Sequence, residues 1–223
     1  MNTSQKKDKI TVLTLAGMAL MTALTAWKAA AQSQLAGAAL LIAGIAFFFI
    51  VEGAAKTPDS ESGLSFPRFF TDLKKPGVLI LILIMLLLSP AEMLLSKVFF
   101  GNAYVEHVLG RVSVPDLSQL PLLILSQVFT VVGEEIGFRA FFVGKGMKKL
   151  PFWPVALLSA VLFAAAHFAS GAPAVVAWDL GLIFIDAILF AVLFRISGNC
   201  LTTAIPHFLN NIIGFLLVPI LFK

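Results

Sequence analysis

Seven apolar stretches dominate the chain: residues 10–31, 34–55, 77–99, 119–142, 155–169, 174–194 and 200–222. Several reach the roughly 20 residues that a helix needs to cross about 30 Å of hydrocarbon. Lipid offers the backbone no hydrogen-bond partners, so runs of this length must satisfy their own amides and carbonyls as helices. Composition agrees: 13% of residues are charged, against roughly 25% in a soluble domain. Residues 1–223 are therefore expected to form a single integral membrane domain, all-α and polytopic, with about seven transmembrane helices. The fifth stretch is short. The third carries Pro90 and Glu92, and is expected to kink or end early.

The net charge of +4 does not describe a nucleic-acid surface, because no Lys/Arg run is interleaved with aromatics. It describes topology. Threading seven helices from a cytoplasmic N-terminus puts Lys6, Lys7, Lys9, Lys56, Arg68, Lys74, Lys75, Lys145, Lys148, Lys149 and Arg195 inside. Lys28, Lys97, Arg111 and Lys223 fall outside, and Arg139 is buried. Eleven against four satisfies the positive-inside rule, so the chain is expected in the cell (inner) membrane with its N-terminus cytoplasmic. The apolar run Ile10 to Trp27 exceeds the 7–15 residues usual for a signal-peptide core, and is read as a retained first helix. Residues 56–76 read as a short interfacial segment, and residues 100–118, with Glu106, His107, Arg111 and Asp116, as an outer loop with a solvated His107. The single cysteine, Cys200, excludes an internal disulfide and a cysteine-based zinc site.

Charge inside an apolar helix is where function shows. The run PLLILSQVFTVVGEEIGFRAFF, Pro121 to Phe142, holds Glu134, Glu135 and Arg139. Each costs about 2.5–3.5 kcal/mol at the centre of a spanning helix. On an α-helix Glu135 and Arg139 share a face in the favourable acid-before-base order, while Glu134 is rotated by about 100°. One acid can be neutralised by Arg139 while the other faces a cavity. Gly133 and Gly137 flank the acids at four-residue spacing, which lets a neighbouring helix approach closely. Downstream, His167 lies in FAAAHF, and His207 and Asn211 lie four apart in IPHFLNN, sharing a face of the last helix. Asp179 and Asp186, seven apart, share a face of the sixth stretch and are expected to point into the bundle. The bundle thus encloses a polar intramembrane cavity.

A carboxylate in low dielectric can act as a general base near neutral pH, a histidine can orient and deprotonate water, and a histidine–amide pair can stabilise an oxyanion. These are the parts of a water-activating hydrolase. A zinc site on Glu134, His167 and His207 is the competing reading of the same residues, although the HExxH signature is absent. Ser159 and Ser170 are eight and three residues from His167, and neither lies in a nucleophile-like turn, so no covalent intermediate is expected.

GEEIGFR resembles the EExxxR motif of the CAAX-protease and bacteriocin-processing family of intramembrane endopeptidases, known as CPBP. FAAAH, Phe163 to His167, is similar to its FxxxH motif, and RISGNCLTTAIPHFLNN to its closing Arg-x-x-Gly and HxxxN element. The motifs fall in the family's order over roughly residues 120–215, within a catalytic core at about 119–222. The resemblance implies a helical bundle with a polar cavity open to the cytoplasmic side or to lipid. It implies a glutamic-type peptidase with Glu134 as general base, His167 as its partner in activating water, and His207 with Asn211 as the oxyanion-stabilising pair. Glu135 and Arg139 become the supporting pair that positions Glu134. Ala140 replaces the glycine that many members carry after the arginine. The expectation is an intramembrane endopeptidase acting on a membrane-associated protein or peptide, with the lipid bilayer as its other partner, no nucleic acid, no metal and no cofactor. The alternative is a non-proteolytic scaffold or bacteriocin-immunity-type protein that binds a partner.

Overall fold

A computed structural model describes residues 3–111 and 120–221, and among these there is no strand. Asp116 of the outer loop and Lys223 of the charge assignment lie outside the described residues. The elements follow the apolar pattern: α1 (Thr3–Ala31), α2 (Gln34–Ala55), two short helices α3 (Asp59–Ser62) and α4 (Phe69–Leu73), and α5 (Val78–Phe100). Then come α6 (Asn102–Arg111), α7 (Leu120–Glu134), a π-helical segment (Glu135–Val143) that continues α7, and α8 (Gly144–Gly146). The chain closes with α9 (Phe152–Ala166), α10 (Pro173–Ser197) and α11 (Cys200–Leu221). Six helices are long and apolar enough to cross a membrane, with α7 through α8 counting as one; α9, at 15 residues, is the short seventh. The protein is an integral, multi-pass membrane protein.

Two expectations change. The third stretch does not end early, because α5 runs on through Pro90 to Phe100. The outer loop is not merely solvated: α6 occupies it, and the His107 side chain is 5% exposed with Nε2 3.5 Å from Asp179 Oδ2. Apolar residues that find no place in the core face outward, as Leu79, Ile80, Leu83, Ile84 and Leu87 do on α5. Lipid is their solvent.

Polar contacts pin the two ends of the bundle. At one end Lys6 donates to Ala55 O, Lys145 pairs with Glu52 and donates to Ser62 O, and Lys75 donates to Ser197 O. Asp72 anchors α4 there, with Arg68 at 3.0 Å, Lys75 at 2.8 Å and Asn199 Nδ2 at 3.1 Å. Burial alone would push the Asp72 carboxyl up, but the Lys75 and Asn199 hydrogen bonds and the Lys75 and Arg68 charges outweigh it and hold it below its ordinary value. At the other end Ser170 bonds Gln32, and Trp178 donates to Ser96 Oγ beside Phe99 and Phe100. A Trp–Phe cluster of this kind suits a membrane–water interface.

The helix carrying the acids leans on α2 through glycine. A Cβ on Gly44 would stand 2.8 Å from Gly137 Cα, and one on Gly133 would stand 3.0 Å from Leu41. The spacing of Gly133 and Gly137 thus serves the close approach expected of it. Gly44→Ala should cost about 1–3 kcal/mol by overpacking, read as a lower midpoint of thermal unfolding in detergent. Gly53→Ala, where nothing lies within 4 Å, should leave the midpoint unchanged or slightly raised; equal losses at both positions would contradict this packing.

Candidate active site

Glu134 is the last α-helical residue of its span, and Glu135 opens the π-helical turns. The sequence pattern presumed an unbroken α-helix. Instead the backbone widens here, and the Gly144 amide reaches back five residues to Arg139 O. Such segments are frequent at functional sites. The two acids part as expected. Glu135 is fully buried, whereas the Glu134 side chain is 21% exposed and lines a cavity of about 370 Å³.

Glu135 is the hub of the site. Arg139 Nη1 lies 3.3 Å from its Oε1, Thr203 Oγ1 donates to its Oε2 at 2.5 Å, and His207 Nδ1 donates to Oε1 at 2.8 Å. Arg139 is itself 1% exposed, with its guanidinium 4.4 Å from the Phe163 ring centroid and 4.9 Å from that of Phe190. The same two rings hold the histidines: Phe190 stacks on His207 at 4.8 Å, and Phe163 packs on His167 at 4.7 Å.

Each histidine therefore has a defined tautomer at one nitrogen. The Phe163 carbonyl can only accept, so His167 Nδ1, 2.8 Å away, must donate to it. The Phe163 ring, packed on both His167 and the Arg139 guanidinium, gives a physical reason for a phenylalanine four residues before this histidine. His207 Nδ1 gives its proton to Glu135, which turns Nε2 toward Glu134 Oε2 at 3.6 Å.

Glu134, His167, His207 and Asn211 all line the same cavity. Asn211 Nδ2 donates to Gln127 Oε1 at 2.9 Å, so one of its two N–H groups is already engaged. A second cavity, of about 510 Å³, is also lined by Glu134 and His167. Thr130 borders both. Ser159 and Ser170 bond elsewhere, to Phe138 O and to Gln32. Among the described residues no three His, Cys, Asp or Glu side chains are arranged to hold a metal ion.

Several wall residues had no place in the motif set. Asp186 and Asp179 line the first cavity, as their shared helix face suggested, and Glu92 of α5 joins them. Asn210 is buried there with neither amide atom hydrogen-bonded. Thr203 was missed altogether. Its signal was the four-residue ladder Thr203, His207, Asn211 along one face of α11.

The family model for Rce1-like proteins, described as type II CAAX prenyl endopeptidases, matches residues 116–213. That segment contains the buried acids, both histidines and Asn211. Over that segment, a little under half of the chain, the protein is similar to this family of type II CAAX prenyl endopeptidases. No curated protein and no solved structure matches the chain.

The two acids should respond oppositely to loss of charge. Glu135→Gln leaves Arg139 buried and unpaired, and should cost about 3–5 kcal/mol of stability. Glu134→Gln, at a half-buried position facing a cavity, should stay within about 1 kcal/mol. Thermal unfolding of the two purified variants checks this; equal losses would contradict the division of roles.

Proposed function

We propose that this protein is an intramembrane endopeptidase that hydrolyses a peptide bond of a membrane-associated polypeptide by direct attack of water. The observation that carries the reading is the pairing of a buried, fully engaged Glu135 with a cavity-facing Glu134, bridged by one histidine. Glu134 takes a proton from water while His167, whose Nδ1 is committed to Phe163, orients that water through Nε2. The water oxygen bonds to the carbonyl carbon and the carbonyl electron pair moves to oxygen. His207 Nε2–H and the second N–H of Asn211 are the donors to that oxyanion. The intermediate collapses with cleavage of the C–N bond, and Glu134 returns its proton to the leaving nitrogen.

In this mechanism Glu135 and Arg139 never meet substrate. Glu135 fixes the ring of His207 and offsets the charge of Arg139. The roles assigned from sequence to Glu134, His167, His207, Asn211, Glu135 and Arg139 are kept. No metal enters any step. The excess of lysine and arginine at its end of the bundle supports a cytoplasmic N-terminus.

The test compares membrane and secreted peptides from cells carrying the native protein, Glu134→Gln at matched expression, or a deletion. Glu134→Gln should accumulate the same uncut polypeptide as the deletion, with cleavage reduced roughly 10²–10⁴-fold, the usual contribution of a general base. A deletion phenotype that Glu134→Gln fails to reproduce would instead favour the scaffold.

A further inference from the structure

Most of the cations lie at one end of the bundle, and both cavities lined by Glu134 run toward the other. Lys6, Lys56, Lys75, Lys145 and Lys148 gather where α1 begins and α2 ends, joined by contacts with Ala55, Glu52, Ser62, Glu61 and Ser197. The polypeptide between Glu134 and that end is closed, since every residue from Glu135 to Gly146 is buried. From Glu134 and His167 the second cavity runs the other way, to Lys28 and the exposed Gln34 at the α1–α2 turn. The first runs to Tyr104 and Leu109 of α6, at that same end.

The short seventh helix accounts for this polarity. α9 starts beside Arg195, whose guanidinium lies 4.4 Å from the Phe152 ring centroid, at the cationic end. Its 15 residues rise only about 22 Å, short of the roughly 30 Å of hydrocarbon. The chain therefore turns at His167 well inside the opposite face, and leaves a recess there that α1, α2 and α6 border. The loops at the cationic end are short, the regime in which lysine and arginine set orientation.

We infer that the reaction cavity opens on the non-cytoplasmic face of the membrane, so that its substrate is an exported peptide or the outward-facing segment of a membrane protein. The assignment of a substrate rests on the peptidase reading; the direction of opening does not. It departs from the cytoplasmic opening that family resemblance suggested, and it sets aside a cytoplasmic C-terminal tail as the substrate.

The experiment places single cysteines at Gln34, Thr130 and Lys149 in the full chain, all exposed positions, with the fully buried Cys200 left in place. A membrane-impermeant maleimide is added to sealed right-side-out membrane vesicles, and again after they are opened. Gln34→Cys and Thr130→Cys should label in sealed vesicles, and Lys149→Cys only in opened ones. The reverse pattern would show a cavity facing the cytoplasm and overturn the inference. So would a Thr130→Cys that labels under neither condition while Gln34→Cys does, since no water path would then reach the site. Labelling reads water access and not turnover. A Glu134→Gln protein that still processes its target would sink the peptidase reading and leave the orientation standing, and reversed labelling would do the opposite.

Discussion

A carboxylate and a guanidinium held together in a membrane interior constrain everything around them. Neither Glu135 nor Arg139 can be left alone at that depth, because an unpaired charge there costs several kcal/mol. Their partners are accordingly drawn from three helices: Thr203 and His207 from α11, Phe163 from α9 and Phe190 from α10. The aromatic rings that lie against the guanidinium also press on the histidines. One structural solution to a buried ion pair therefore fixes the two rings on which the chemistry depends. Glu134, one residue away, meets that network through His207 Nε2 and faces the cavity.

The same constraint explains the widened backbone. The acids sit where the α-helical ladder gives way to π-helical turns, and Gly44 and Gly137 bring α2 against that segment at close range.

Much of this was legible in the sequence because the membrane simplifies the reading. Apolar run length marked the helices to within a few residues, and a charge within such a run stood out as a cost needing a reason. The separation of Glu134 from Glu135 followed from the rotation between adjacent helical positions. What escaped was long-range. Thr203 is an ordinary small residue until α11 brings it to Glu135. His107 read as solvated because nothing local shows that α6 folds back onto Asp179. Pro90 misled because a spanning helix surrounded by other helices tolerates a proline that would end a soluble one. The direction in which the cavity opens depends on where a 15-residue helix stops relative to its longer neighbours, which no single stretch records.

The central claim is that Glu134 moves a proton and never becomes an acyl carrier, so the peptide carbonyl is attacked by water itself. Running many turnovers of the purified protein in oxygen-18 water, followed by mass spectrometry of the peptide containing Glu134, tests this directly. Attack by water predicts heavy oxygen in the new C-terminal carboxylate of the product and none in the Glu134 side chain. Heavy oxygen accumulating in Glu134 with turnover would mean that its carboxylate forms an anhydride with the substrate, and would contradict the account.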